Sequence, residues 1–225
     1  DDGTSFLDLG AVVRPAGNGS THRLVEVGPG AVAVVDGHLH VYFLERSDVA
    51  QWLRLGVARC RLDELFAAAA RGVTPELHKF HRGGFDEPAL GGVASDLLPS
   101  DAPYVMWMDL ARLAEPDLLV LVYSTAVRSN GRILGWERHA CCSLDGLRWS
   151  RPTSIDPVPV PAELLYLTID SGGPDQRRVE GDEFDLYRVA AAAPYRWHDA
   201  RVERQRVRWA VVDDESGAEG VAADA

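Results

Sequence analysis

Ala31-Val32-Ala33-Val34-Val35-Asp36-Gly37-His38-Leu39-His40-Val41-Tyr42-Phe43-Leu44 is the stretch that decides the fold class. Two runs rich in β-branched and aromatic residues flank an Asp-Gly dipeptide, whose two residues accept the positive φ angles of a two-residue hairpin turn. Leu53 to Arg61 and Glu76 to Arg82 carry the same strand signal. Between them, Leu62-Asp63-Glu64-Leu65-Phe66 and four alanines predict one short inserted helix, ended by Gly72. An N-terminal strand remnant is expected at Phe6 to Val13.

The pattern then repeats. Tyr104 to Asp109, Leu118 to Ser124, Leu134 to Ser143 and Trp149 to Ile155 read as four strands, broken at Pro116, Asn130-Gly131 and Asp145-Gly146. After the proline-rich link at 157–161, three more follow: Leu164 to Asp170, Glu183 to Val189, and Ala200 to Val212. The residues from Asp213 to Ala225 hold five acids and no base, so 213–225 is expected to be an acidic, disordered tail behind one domain at 1–212. Four-strand units recurring every ~50 residues predict an all-β fold of the propeller kind. A β-sandwich is the alternative, since it also presents short strands at regular spacing.

The 225 residues are 46% hydrophobic and 25% charged, enough apolar material for a packed core. Basic residues number 23 and acidic residues 34, and the net charge of −11 argues against nucleic acid or an anionic membrane as partner. Lys79 is the only lysine, a bias read as that of a GC-rich genome. Cys60, Cys141 and Cys142 are too few and too irregular for a disulfide framework or a zinc site, so buried free thiols are expected and no metal. No apolar run approaches the ~18 residues of a spanning helix. The chain opens on Asp1 without an initiating Met, which implies a removed segment; sequence does not decide among signal peptide, tag and further domain. Localisation, cytoplasmic or secreted in a bacterium, and oligomeric state are equally undecided.

Ser143-Leu144-Asp145-Gly146-Leu147-Arg148-Trp149 resembles the Asp-box turn of propeller glycosidases, Ser-x-Asp-Gly-x-x-Trp, a structural device joining outer strands. Ala33 to Tyr42, Gly83 to Gly92 and Tyr195 to Val202 resemble segments of the five-bladed propellers of glycoside hydrolase families 43 and 32 and their bacterial relatives. The resemblance implies a five-bladed ring that binds or hydrolyses a carbohydrate or polyhydroxylated small molecule at its channel mouth, with no cofactor. Three blades and a remnant are fewer than that ring needs, which implies blades outside this chain or a strand count that is too low. Where those glycosidases open a blade with Asp-Pro, this chain has Gly28-Pro29, and the carboxylate is missing.

Glycoside hydrolysis needs two carboxyl groups across the scissile bond, roughly 5 to 9.5 Å apart according to mechanism. Glu87, in a Gly-flanked segment beside Pro88, resembles the acid-bearing segment of those enzymes and is the candidate proton donor; its structural alternative is a solvated turn. Asp109 and Asp170 end strands at equivalent places in successive groups. They are candidates for base and for the charge that tunes a neighbour's pKa; the alternative is that Asp merely terminates strands there. His38 and His40 share a strand face and are candidate ligand contacts, or packing histidines. His78 and His81 fall on opposite faces and make a poor pair. Tyr104, Trp107 and Trp136 could stack on a sugar ring, or be core. Arg177, Arg178, Arg201, Arg204, Arg206 and Arg208 read as a solvated strand face. The absence of Gly-x-Ser-x-Gly, Walker, Rossmann and His-Glu-x-x-His motifs removes the commonest hydrolase, nucleotide and metalloprotease classes. Three functions remain: a carbohydrate-active hydrolase, a non-hydrolytic propeller that reuses the channel, and a purely structural module.

Overall fold

The computed structural model describes residues 8–15, 26–46, 53–130, 132–156, 163–175, 177–191, 200–213 and 219–224. These are all-β with one helix, as the strand pattern predicted. Among them the strands form three sheets of four or five strands. By contact the chain divides into two compact units, Asp1–Gly28 with Val32–Asp96, and Pro29–Ala31 with Leu97–Ala225.

The first unit is built on the sheet β1-β2-β3-β4-β5: β1 Glu26–Val35, β2 His38–Arg46, β3 Arg54–Arg61, β4 His78–His81 and β5 Gly84–Pro88. The β1–β2 turn is the expected one, with φ of 46° at Asp36 and 71° at Gly37. Opposite Phe43 on β3 stands Gly56, where a Cβ would lie 2.8 Å from the Phe43 ring, so only glycine lets that ring lie flat against the strand. The helix α1, Leu62–Ala70, follows β3 directly, and Gly72 takes φ 68° behind it. Residues 8–15 are not a strand of this sheet. Arg14 makes an isolated bridge to Leu90, and Val12 and Val13 pack on the core of Phe43, Ala58, Cys60, Leu77 and Ala89.

What fixes that N-terminal segment is Lys79, which has no exposed surface. Its ammonium donates all three hydrogens: to the Arg14 carbonyl at 2.7 Å, the Gly92 carbonyl at 2.7 Å and the buried Glu45 carboxylate at 2.9 Å. The lone lysine, read from sequence as a compositional accident, therefore ties the segment before β1 and the turn after β5 to β2 and β4.

The second unit holds two sheets. One has the order β11-β6-β7-β8-β9: β6 Trp107–Leu113, β7 Leu118–Ser129, β8 Arg132–Ser143 and β9 Thr153–Ser154 form an antiparallel meander, and β11 Arg178–Val179 lies parallel to β6. The other is β10-β12-β13-β14, from β10 Glu163–Asp170, β12 Glu183–Ala191, β13 Arg201–Asp213 and β14 Glu219–Asp224. Within the segment expected to be a disordered tail, Glu219–Asp224 forms an antiparallel edge strand, Val211 facing Val221 in register. Composition reports solubility, but an edge offers pairing to any nearby backbone. The two sheets share an apolar layer in which Val120, Val122, Ala140 and Cys142 meet Ile169, Phe184, Leu186 and Val207.

Between β8 and β9 lies the turn 143–149, held by its own side chains. Asp145 accepts from the backbone N–H of Leu147 at 2.9 Å and of Arg148 at 2.8 Å, Gly146 has φ 72°, and Trp149 is buried. Burial alone would raise the Asp145 carboxyl, but those two N–H groups, the Arg148 guanidinium and the Ser143 hydroxyl together hold it at about 2.

Two expectations follow. Lys79→Met leaves Glu45 buried without its cation and should cost about 3–5 kcal/mol, part of which Lys79→Met with Glu45→Leu recovers, read from urea denaturation midpoints. Because the folded Asp145 lies below the ordinary carboxyl value of 3.8, its contribution is present above that pH and lost as pH falls toward 2. The stability gap between wild type and Asp145→Asn, about 1 kcal/mol near neutrality given its partial exposure, should close across that window.

Candidate functional site

The three acids singled out from sequence occupy different settings. Glu87 lies in β5 of the first unit, half-buried, and accepts the Val93 N–H at 3.3 Å. Asp109 and Asp170 belong to the second unit. Asp109 is 5% exposed, and its oxygens accept from four donors: the N–H of Leu110 at 2.8 Å, the Thr168 hydroxyl at 2.8 Å, the Ile169 N–H at 2.8 Å and the Arg177 guanidinium. It sits on β6 and receives an N–H from β10, the edge strand of the other sheet. That set of bonds is what a sheet-to-sheet clamp requires, and it occupies the lone pairs that a general base would use. Asp170 is half-buried at the end of β10, accepts the Gly172 N–H at 2.9 Å and pairs in register with Asp185. The Arg204 and Arg206 guanidinium groups hold the Asp185 carboxyl below its usual range. Here the arginine row of β13 is a solvated face with carboxylate partners, as read from sequence.

His38 and His40 stand two residues apart on β2 in different surroundings. His38 Nδ1 lies 2.9 Å from the Asp36 carbonyl, inside the hairpin turn. His40 is buried, its Nδ1 3.4 Å from the Tyr42 hydroxyl and its ring 5.8 Å from that of Phe85. His40 is thus packed inside the first unit, whereas His38 is half-buried at its turn. The three cysteines are free and buried, and burial pushes the Cys141 thiol well up, which leaves it protonated and unreactive. Among the described residues no three His, Cys, Asp or Glu side chains cluster as metal ligands, and no helix is long and apolar enough to cross a membrane.

The aromatic candidates do come together. Tyr104, Met106 and Trp107 pack on a small cluster of Ala126, Trp136 and Ala190, at one end of the space between the two sheets of the second unit. Trp136 is only 4% exposed and belongs to the core. Trp107 and Tyr104 are half-buried. The Tyr104 hydroxyl donates to the Ala126 carbonyl at 3.0 Å and accepts from Arg128 Nε at 3.1 Å.

A fourth ring was missed from sequence. Tyr166 is 49% exposed, and its ring centroid lies 4.5 Å from that of Trp107. It interrupts the β10–β12 register and has φ 51°, a left-handed conformation that costs a tyrosine about 1 kcal/mol or more. The bulge takes this ring out of the alternation of its strand and leaves it half exposed beside Trp107. The only sequence signal was an aromatic inside a strand, which ordinarily means core.

Between this aromatic end and the apolar layer runs a polar layer, also unseen from sequence. Trp107, Ser124 and Arg138 form one cross-strand row on β6, β7 and β8, on the face turned to the other sheet. Arg138, 1% exposed, forms a two-pronged ion pair with the buried Asp156 and donates to Gln205 of β13. Across from it Arg188 of β12 donates from Nε to Glu203 at 2.9 Å, and Arg201 binds the same carboxylate at 2.7 Å.

No protein-family model matches the sequence, and no curated protein matches it significantly. Among solved structures the chain is similar to a GH62 hydrolase in complex with xylotriose, at 10% identity and TM-score 0.47, over 95% of this chain and 69% of that one. It is similar to the catalytic domain of a GH62 alpha-L-arabinofuranosidase from Coprinopsis cinerea, at 11% identity and TM-score 0.46, over 95% and 68%. An alpha-L-arabinofuranosidase from Podospora anserina in complex with cellotriose gives 11% and 0.47, over 95% and 67%.

Asp109→Asn should destabilise by about 2–4 kcal/mol, since the new amide N–H₂ faces donors and the Arg177 charge loses its partner. Asp170→Asn should cost under about 1 kcal/mol. Denaturant midpoints of the two variants against wild type check the difference.

Proposed function

We propose that this chain is a glycosidase-like propeller domain that binds a carbohydrate or other polyhydroxylated small molecule where Trp107 and Tyr166 meet at the open end of the second unit's cleft. The observation that carries the proposal is the strained, outward Tyr166 ring set against Trp107. A sugar ring presents an apolar face to such surfaces, and each aromatic contact contributes about 1 kcal/mol. Tyr104 and Arg128 add hydrogen-bonding groups at the rim, as sites of this kind combine apolar walls with a few placed polar atoms.

Binding without hydrolysis is the form of the proposal that the acids favour. Asp109 is committed to the β6–β10 clamp, and the Asp that opens a glycosidase blade is Gly28 here. Hydrolysis with Glu87 as proton donor is the other reading, favoured by its half-buried carboxylate, which accepts the Val93 N–H and keeps a second oxygen for chemistry.

A panel of neutral oligosaccharides titrated by calorimetry against wild type, Trp107→Ala and Tyr166→Ala tests the first reading. At least one ligand should bind wild type with Kd weakened about tenfold in each variant. Absence of binding, or equal binding by all three proteins, overturns it. Release of reducing sugar by wild type that disappears in Glu87→Gln replaces binding with hydrolysis.

A further inference from the structure

The polar layer between the two sheets of the second unit has an imbalance that its own residues do not resolve. Buried atoms without a partner in this layer are Arg138 Nη1, Arg188 Nη1, the Ser124 hydroxyl and the Trp107 indole N–H, with the Trp136 N–H in the adjoining apolar cluster. Each is a donor. No carboxylate or amide oxygen of the described layer is among them. Both arginines engage their carboxylates through Nε and Nη2, so the remaining Nη1 edge is the free one in each case.

These donors belong to one place. Ser124 stands directly between Trp107 and Arg138 in register. Arg138 crosses to Gln205, which pairs with Leu186, and Arg188 is the next residue on that face of β12. On either side the layer is bounded by apolar residues, Val122, Ala140 and Leu186 below and Ala126, Trp136 and Ala190 above. The buried charges balance, Arg138 against Asp156 and Arg188 against Glu203, while Arg201 reaches Glu203 from the solvated side.

We propose that this layer is a binding site for a single carboxylate, reached past Trp107 and held by the Nη1 edges of Arg138 and Arg188 and by the Ser124 hydroxyl. A carboxylate is acceptor-only and is the natural partner of a guanidinium edge. Since Trp107 lies in both this row and the aromatic cluster, the carboxylate fits an acidic sugar whose ring rests on Trp107 and Tyr166. That assignment of the carrier rests on the carbohydrate reading above, whereas the carboxylate site itself does not.

Binding of acetate, D-glucuronate and D-glucose to the whole chain, at constant ionic strength, separates the two. Wild type, Arg188→Gln, Ser124→Ala and the surface control Arg132→Gln are compared by calorimetry, with far-UV circular dichroism to confirm folding. Expected is glucuronate binding at least tenfold tighter than glucose, a preference lost in Arg188→Gln, reduced several-fold in Ser124→Ala and unchanged in Arg132→Gln. Acetate binding with the same Arg188 dependence, and no sugar binding, upholds the carboxylate site and removes the sugar as its carrier. Equal affinity for glucuronate and glucose overturns the site while leaving the carbohydrate reading in place. No saturable response to either anion also overturns it, because the donors are then satisfied by water.

Discussion

One carboxylate sets how the two sheets of the second unit meet. Strand β10 lies at the edge of its sheet, so one side of its backbone has no neighbouring strand to receive its N–H groups. Asp109 supplies the acceptor from β6 of the other sheet, taking the Ile169 N–H and the Thr168 hydroxyl while Arg177 offsets its charge. A buried carboxylate is tolerated only when its oxygens are met in this way. The register it enforces places Val122 and Ala140 over Leu186 and, one row further along, Arg138 over Gln205. Without it the apolar layer could slide, and the polar row above it would lose its partners.

That arrangement redistributes the roles that an enzyme of this shape would assign. Asp109, a candidate base by sequence, and the buried Asp156 are spent on backbone amides and arginines. What remains turned outward is aromatic, Tyr166 and part of Trp107, with guanidinium edges behind. On the reading proposed above, such a surface would hold a ligand more readily than move a proton. Buried arginines cost several kcal/mol to desolvate, a cost that here is offset by the Asp156 and Glu203 carboxylates.

Much of the architecture was legible because it rests on local rules. Period-two alternation and the Asp-Gly pair gave β1 and β2, the alanine run gave α1, and the Ser143–Trp149 turn closes through hydrogen bonds spanning three residues at most. The site was less legible because its partners lie far apart. Arg138 meets Asp156 across 18 residues and Gln205 across 67, and nothing near position 138 announces either. Asp109 and Asp170 look alike as strand-ending acids, yet one is a clamp and the other rests half-buried at an edge. Tyr166 could not be told from a core tyrosine, since alternation assumes a regular strand and the bulge breaks it. β14 escaped notice because an acidic composition describes what a segment does in water, not what it does beside an unpaired edge.

Lys79 also makes the first unit a reporter of its own integrity. As the chain's sole lysine, it carries the only side-chain amine, and that amine is sealed under three acceptors. Acylating reagents, reducing sugars and amine-coupled surfaces find no ε-amino group on the folded molecule. Labelling at this position thus marks the moments when the segment around Arg14 lifts away, and its rate measures the free energy of that opening.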